Sequence, residues 1–354
     1  MSEQSKPGNT HFHFCATGIG SVPFLDIENT CRRILSQLPI IPFWPQFVRR
    51  SHVEDMNIQF SEGLPFFEIN NEHRTIGLSS CSLESALFIF YEHFLSDDLD
   101  AFAMSEAYAP GLYRLIEFMR EQPLEFGPYV KGQVVGPVTF ASSVKDRDGT
   151  SILHNPDLIE AIAKGLAIKA LWQARALART GKRPIIFLDE PALSGFGSGF
   201  STLQRHDVVK LITEIMGYLR DKSDTLIGIH CCGNTDWPMI IETRPDIISF
   251  DAYSYLDYFL LYPKEVGQFV RDGGIIAWGI VPTAVFSGKE SIEELSLTLQ
   301  KALHRFYEWD LAPELVSSQS ILTPACGMGT LSEKDSESVF DLLAGLSKRC
   351  GRFR

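Results

Sequence analysis

Short apolar runs alternate with stretches of helical periodicity along the last two-thirds of the chain. From residue 129 onward, each run ends in a short polar connection, and apolar positions then recur at the spacing of one helix face. The runs predict strands at 130–135, 184–189, 226–230, 246–251, 274–281 and 320–323. The periodic stretches predict helices at 157–180, 203–222, 236–243, 254–270 and 290–308, and a last helix that follows Cys326 and ends at about residue 348.

This alternation predicts parallel strands covered by helices. The runs are continuously apolar, as expected of strands that are buried on both faces. Two further strands are predicted at 12–19 and 101–106, and further helices near 26–35, 83–96 and 110–121. The total of eight strands favours a (β/α)8 barrel over an open doubly wound sheet. No Gly-x-Gly-x-x-Gly pattern follows the first strand, so a dinucleotide site is not indicated.

Residues 40–80 interrupt the regular pattern. Two apolar stretches flank Gly63 and predict a hairpin. We expect this segment to be an insertion that covers the mouth of the barrel. Residues 1–10 are polar and are predicted to form a disordered leader. The chain, residues 1–354, is therefore expected to be a single barrel domain with an N-terminal hairpin-like insertion.

Composition and charge exclude several classes of protein. The formal net charge of -12 argues against a nucleic-acid partner, since phosphate binding requires a basic surface. No apolar stretch approaches the roughly 20 residues of a membrane span, and the polar N-terminus does not resemble a signal peptide. The seven cysteines have no regular spacing, which is typical of thiols in a reducing compartment. A cytoplasmic protein is expected.

The candidate chemistry lies where two of these strands end. His230 and Cys232 are separated by one residue, so both side chains leave the same face of an extended segment. A third ligand, Cys326, follows another short apolar run. One imidazole and two thiolates fit a catalytic zinc site with an open fourth position. A single cysteine is more often a small buried hydrophobe, and we assign Cys231, on the opposite face, to the core.

The barrel brings these residues to one place, because active sites in this fold lie at the C-terminal ends of the strands. Asp189 and Glu190 end one strand with side chains on opposite faces, and we expect Asp189 to be the site residue and Glu190 to brace the loop. Asp251 is a fourth zinc ligand, a partner for His230 or a loop residue. The residues predicted to share the mouth are Ser21, Gly136, Asp189, His230, Cys232, Asp251 and Cys326.

Five motifs carry a resemblance to a known superfamily. They are Ile19-Gly20-Ser21-Val22-Pro23, Gly136-Pro137-Val138-Thr139, Asp189-Glu190-Pro191-Ala192, His230-Cys231-Cys232-Gly233-Asn234-Thr235 and Pro324-Ala325-Cys326-Gly327. The chain resembles the superfamily that joins uroporphyrinogen decarboxylase, the catalytic half of cobalamin-independent methionine synthase and the corrinoid-dependent coenzyme M methyltransferases. The last two motifs resemble the zinc-binding motifs of the methyltransferase branch.

The resemblance implies a zinc-dependent transfer of a methyl group to a small thiol such as homocysteine. Zinc would be held by His230, Cys232 and Cys326. Ile19, Gly20, Ser21, Gly136 and Asp189 would bind the substrate, and Asp189 and Asp251 would act in catalysis. The sequence has no counterpart of the large N-terminal half of the folate-dependent synthase, so a methyl-corrinoid, carried by a partner protein, is the expected donor.

Two departures from the synthase bear on the acceptor. Ile58 stands where the synthase has a substrate-binding glutamate, and no counterpart of its catalytic histidine occurs around 278–283. The alternatives are a coenzyme M-type thiol methyltransferase, a decarboxylase of the uroporphyrinogen type and a non-enzymatic zinc-stabilised corrinoid-binding module.

Overall fold

The computed structural model describes residues 11–146, 149–196 and 204–351. The predicted disordered leader, residues 1–10, lies outside these ranges. Within them, no helix has the length and apolar character needed to cross a membrane.

The described residues form nine strands, thirteen α-helices and four short 3-10 helices. The strands are β1 (Cys15–Ala16), β2 (Phe67–Asn70), β3 (Thr75–Leu78), β4 (Tyr129–Val135), β5 (Arg183–Asp189), β6 (Leu226–Cys231), β7 (Ile247–Phe250), β8 (Ile275–Val281) and β9 (Ser320–Pro324). The α-helices are α1 (Ile27–Gln37), α2 (Met56–Gln59), α3 (Leu83–Leu95), α4 (Pro110–Glu121), α5 (Pro137–Ser143), α6 (Pro156–Ala178), α7 (Arg205–Lys222), α8 (Trp237–Glu242), α9 (Ala252–Phe259), α10 (Pro263–Arg271), α11 (Ile292–Glu308), α12 (Pro313–Ser318) and α13 (Glu333–Cys350). The 3-10 helices are His52–Glu54, Leu99–Phe102, Ile152–His154 and Pro191–Leu193.

Seven strands form one parallel sheet in the order β1-β9-β8-β7-β6-β5-β4. Residues 43–46 lie between its two edges. On one side the Trp44 amide donates to the Lys131 carbonyl of β4 (3.2 Å), and on the other the Gln46 amide donates to the Gly20 carbonyl beyond β1 (3.1 Å). This segment takes the eighth position and closes the sheet, which confirms the predicted (β/α)8 barrel.

The prediction of a strand at 101–106 is wrong. Leu99–Phe102 is a 3-10 helix, in which the Asp98 carboxylate accepts a hydrogen bond from the Ala101 amide (3.3 Å). A short apolar run does not by itself distinguish a strand from a turn that buries its side chains. In the segment that takes the eighth position, Pro42 and Pro45 conceal the strand signal, because proline cannot donate a hydrogen bond to a neighbouring strand.

The helix predicted at 254–270 is divided into α9 and α10. Pro263 begins α10, and proline has no N–H group to continue the hydrogen bonding of a preceding helix. The other helices predicted after residue 129 begin and end within a few residues of the observed bounds, apart from two short helices (α5 and α12) that were not predicted.

The predicted hairpin is formed by β2 and β3. Phe67 pairs with Leu78 and Asn70 with Thr75, so its turn lies at 71–74. Gly63, which was expected at the turn, instead has a φ of 75° in an earlier turn, where a Cβ would lie 2.6 Å from the Ala101 carbonyl oxygen. The single-domain organisation and the role of residues 40–80 as a cover over the mouth stay predictions.

The interior of the barrel is apolar at the N-terminal ends of the strands and polar at their C-terminal ends. The apolar layer consists of buried side chains from the lower parts of the strands and their connections: Phe12, Ile41, Tyr129, Ile185, Phe187, Leu226, Ile247, Ile275, Ala277 and Ile321. The Lys131 ammonium lies 4.5 Å from the centre of the Phe187 ring, and Gln133, Asp189 and His230 are buried nearer the C-terminal ends. Because the strands of the seven-stranded sheet run parallel, their polar ends converge on one mouth.

Candidate metal centre and active-site cavity

Three soft-metal ligands meet at the C-terminal end of the barrel. His230 lies in β6, Cys232 follows the end of that strand by one residue, and Cys326 follows the end of β9 by two. Their ligand atoms lie within 4.8 Å of one another. Tetrahedral zinc has bonds of about 2.0–2.3 Å, which place its ligands roughly 3.3–3.8 Å apart. Small side-chain movements therefore suffice to bring these residues to binding distance.

One nitrogen of His230 is held by the protein and the other is not. Nδ1 lies 3.0 Å from the hydroxyl oxygen of Ser249, its cross-strand neighbour in β7. Nε2 is buried and has no hydrogen-bond partner among the described residues. A buried nitrogen without a partner is costly, whereas a metal-binding histidine is oriented through its second nitrogen in just this way. His230 is thus prepared to offer Nε2 to a metal ion.

The two cysteines interact with each other. The hydrogen bond between the thiols and the burial of Cys326 raise the pKa of Cys326, and the same hydrogen bond lowers the pKa of Cys232. The two sulfur atoms are therefore close enough to interact directly. A divalent cation bound by both sulfurs would displace the thiol protons, because thiolates are the form that binds metals. With the unpaired Nε2 of His230, this donor set fits zinc.

Close packing requires glycine after each cysteine. A Cβ on Gly233 would lie 1.8 Å from the Ser194 hydroxyl oxygen, and a Cβ on Gly327 would lie 2.2 Å from the Ser21 hydroxyl oxygen. The Ser21 carbonyl also accepts a hydrogen bond from the Met328 amide (2.9 Å). Ser21 therefore positions the loop that carries Cys326, in addition to the substrate-binding role predicted for it.

A cavity of about 380 Å³ opens onto the three ligands. Of the other residues predicted for the site, Ile19, Ser21 and Asp189 line this cavity. Further lining residues were not among the predicted site residues: Gln46, Val48, Asp55, Met56, Pro191, Thr283, Ala284, Gly327, Gly329 and Thr330. Most of them follow strand ends or belong to the irregular segment after residue 40, where no local pattern marks them.

Three predicted site residues do not line the cavity. Gly20 packs against Gln46 and Gln133, and Gly136 packs so closely on Glu190 that a Cβ would lie 2.2 Å from its carboxyl carbon. Asp251 caps α9, accepting a hydrogen bond from the Ser254 amide (2.8 Å). Asp251 is also absent from the cluster of potential metal ligands in the described residues. Its roles in catalysis and as a fourth ligand stay predictions.

Asp189 faces the cavity with an unsatisfied oxygen. Its side chain is buried, and Oδ1 has no hydrogen-bond partner in the described part of the chain. Burial raises the pKa of Asp189 to about 6, while the charges of His230 and Lys131 act in the opposite direction. A carboxylate in this position can accept a hydrogen bond from a cationic group of a ligand.

Lys131, which sequence reasoning missed, lies below Asp189 inside the barrel. Burial lowers the pKa of Lys131 to about 7, and the charge of Asp189 raises it in part. The Lys131 ammonium donates to the carbonyl of Ile19 and to Gln133 Oε1, the second at 3.3 Å. It thereby holds the Ile19 loop in place. A lysine within the mostly apolar strand at 129–135 was the available signal.

Glu190 braces the loop, as its opposite orientation predicted. Its carboxylate accepts hydrogen bonds from the amides of Val138 (3.0 Å) and Thr139 (2.8 Å) and from the Thr139 hydroxyl (2.6 Å). These are the free N–H groups at the start of α5. The fully buried Glu190 thus fixes α5 against the end of β5.

We expect the Glu190→Ala substitution to destabilise the protein by about 2–3 kcal/mol, since it leaves two buried amides without an acceptor. The Glu190→Gln variant keeps one acceptor oxygen and should lose about half as much. Urea unfolding followed by circular dichroism measures both effects. Equal stability of the three proteins would contradict the bracing role.

Comparisons with known proteins agree with this barrel. No protein-family model matches the chain. The methionine synthase of Methanocaldococcus jannaschii is 27% identical over 208 residues, which are 57% of this chain and 59% of that protein. The chain therefore matches less than two-thirds of the length of this curated relative.

Two solved structures show different degrees of likeness. A methyltransferase from Methanosarcina mazei matches with a TM-score of 0.57 at 12% identity, over 98% of this chain and 95% of that one, and shows the same fold. A B12-independent methionine synthase from Shewanella sp. W3-18-1, in complex with selenomethionine, matches 66% of this chain and 65% of that one at 19% identity. Its TM-score of 0.46 is too low to carry a structural argument. The sequence similarity to a methionine synthase and the fold shared with a methyltransferase support the resemblance of this chain to the superfamily that joins uroporphyrinogen decarboxylase with the catalytic half of cobalamin-independent methionine synthase.

Proposed function

We propose that this protein is a zinc-dependent methyltransferase that moves a methyl group from a methyl-corrinoid to a small thiol such as homocysteine. The observation that carries the proposal is the convergence of His230, Cys232 and Cys326 at one wall of a cavity. Three protein ligands beside an open space are the arrangement of catalytic zinc, in which the fourth position belongs to a substrate. The sequence similarity to a methionine synthase supports methyl transfer to a thiol.

Zinc bound by the three ligands would lower the pKa of a coordinated thiol, so that the acceptor is a thiolate at neutral pH. The residues of this chain would then bind and orient the acceptor. Asp189, with its unpaired buried oxygen, would accept a hydrogen bond from the acceptor's ammonium group. Lys131 holds the Ile19 loop, and the backbone of Ile19 and Ser21, which line the cavity, would bind the acceptor's carboxylate.

The proposed reaction is an in-line displacement. The acceptor sulfur attacks the methyl carbon, a sulfur–carbon bond forms, and the carbon–cobalt bond of the donor breaks with its electron pair remaining on cobalt. The thiol proton is lost when the thiol enters the site. The cavity supplies orientation and excludes water, which is where much of the acceleration of such a bimolecular step arises. The donor would be presented by a corrinoid-carrying partner protein.

The direct test is methyl transfer from methylcobalamin by the purified, zinc-loaded protein. With homocysteine as acceptor, we expect formation of methionine together with the spectral change of demethylated cobalamin. Homoserine, which carries a hydroxyl in place of the thiol, is the matched control and should give no product. If no thiol is methylated while zinc is bound, the assignment of the donor is wrong.

A further inference from the structure

A second pocket, lined by arginines, lies directly beside the active-site cavity. It has a volume of about 420 Å³ and shares Val48 and Asp55 with the cavity. Its other lining residues are Arg49, Arg50, Ser51, His52 and Arg74. Three arginines and one aspartate line this pocket, and one of the arginines also pairs with Glu54, in a chain whose net charge is -12. This local reversal of charge favours an anionic ligand at the rim of the mouth.

Arg49 and Arg50 are held by contacts that leave other donors available. The Arg49 guanidinium donates to the carbonyls of Gly329 (3.1 Å) and Thr330 (2.9 Å), in the loop that follows Cys326. Arg50 pairs through Nη1 with the buried carboxylate of Glu54 (3.0 Å). A guanidinium has five N–H donors, so each arginine keeps N–H groups for a ligand. Both side chains are thus oriented before any ligand binds.

Arg74 comes from the hairpin turn between β2 and β3. His52 Nε2 lies 3.0 Å from Asn71 Oδ1, which ties this turn to the segment that carries Arg49 and Arg50. Arg74 has a φ of 53°, a conformation that glycine or asparagine adopts with less strain. Among the described residues its guanidinium has no hydrogen bond or ion pair, although it lines the pocket. Arg74 is exposed at the rim of the pocket, so its guanidinium is available to an anionic ligand.

We propose that this arginine pocket binds a phosphate group of the methyl donor, such as the nucleotide phosphodiester of a corrinoid. Arginine matches the geometry of phosphate oxygens, and three arginines around one pocket provide several charge-assisted hydrogen bonds. The cavity itself encloses the proposed metal ligands and Asp189, which are the groups proposed to bind the sulfur and the ammonium group of a small thiol. A ligand that extends past Val48 and Asp55 into the second pocket must be larger, which indicates the donor. The existence of an anion-binding site does not depend on the proposed function. The assignment of its anion to the methyl donor rests on the proposed methyl transfer.

The anion site is tested by titrating the protein with inorganic phosphate in a calorimeter. We expect Arg74→Gln to weaken phosphate binding about tenfold, as expected for the loss of a charge-assisted hydrogen bond, and Arg74→Lys to weaken it less. Arg120→Gln is the charge-matched control, because Arg120 is exposed at the end of α4 that leads into β4, away from the mouth. This control should bind phosphate as the wild type does. Equal binding by the wild type and Arg74→Gln, or no binding by the wild type, would overturn the proposal.

The assignment to the donor is tested with two corrinoids. Methylcobalamin carries the nucleotide phosphodiester, and methylcobinamide lacks it. We expect Arg74→Gln to raise the KM for methylcobalamin about tenfold with kcat and the KM for the thiol unchanged, and to leave the KM for methylcobinamide unaltered. A variant that affects both corrinoids equally would overturn the assignment. If the wild type demethylates neither corrinoid, the proposed function is wrong. The phosphate titration still shows whether the arginine pocket binds an anion.

Discussion

The Cys326→Ser variant should lose most of its bound zinc and nearly all methyl transfer while keeping its fold. Removing a partner of a metal ligand already costs about 10–100-fold in metal affinity, and removing a ligand itself should cost more. The barrel should remain folded, because its apolar layer and helices bury a core that does not include the ligands. Metal content by mass spectrometry, with circular dichroism on the same sample, measures both outcomes.

Cys231 provides the matched control for this variant. It is adjacent to both His230 and Cys232, but its thiol is buried on the other side of the strand, 3.6 Å from the Gly233 carbonyl. Cys231→Ala should therefore retain zinc. Full zinc content in Cys326→Ser would disprove the ligand assignment. Unfolding of the wild type on removal of zinc would instead identify the ion as structural.

The Asp189→Asn variant should bind zinc normally but bind homocysteine poorly. The KM for homocysteine is expected to rise about 10–100-fold, as for the loss of a hydrogen bond between charged groups. The fold should tolerate the change, because the pKa of Lys131 is already lowered to about 7 by burial and falls further without the charge of Asp189. Lys131 can then lose its proton and remain buried as a neutral amine. Steady-state kinetics and metal content distinguish this variant from Cys326→Ser.

A thiol without an amino group supplies the control substrate. γ-Mercaptobutyrate has the thiol and the carboxylate of homocysteine but lacks its ammonium group. Asp189→Asn should leave the KM for this control thiol unchanged, because Asp189 has no group to bind in it. An equal rise of KM for both thiols would show that Asp189 acts on the architecture of the cavity rather than on the ammonium group.

The sequence predicted the parts of this protein that depend on local pattern. Continuous apolar runs identified the parallel strands from β4 to β9, and the residues at their ends identified His230, Cys232 and Cys326, which meet as candidate metal ligands. The sequence also predicted that Asp189 faces the cavity and that Glu190 faces the neighbouring loop, because successive side chains of a strand point in opposite directions. These features require only the periodicity of each element and the rule that parallel strands share one C-terminal end.

The parts that failed depend on contacts between distant segments. Residues 43–46 complete the barrel through hydrogen bonds to Gly20 and Lys131, and Pro42 and Pro45 remove the usual strand signal. Gly136 lies at the expected strand end, yet it packs on Glu190 and does not line the cavity. The arginine pocket joins the hairpin turn to residues 48–55, and nothing in either segment predicts that they meet. The cytoplasmic location stays a prediction.

The central claim is that this barrel uses zinc to activate an acceptor thiol. Zinc-edge X-ray absorption of the purified protein, recorded before and after addition of homocysteine, tests it most directly. We predict about one zinc per chain, bound by one nitrogen and two sulfur ligands from the protein, and a third sulfur ligand once homocysteine is present. Absence of zinc from a protein supplied with the metal would contradict the claim and favour the decarboxylase alternative. A zinc site that gains no sulfur from homocysteine or any other small thiol would contradict thiol activation.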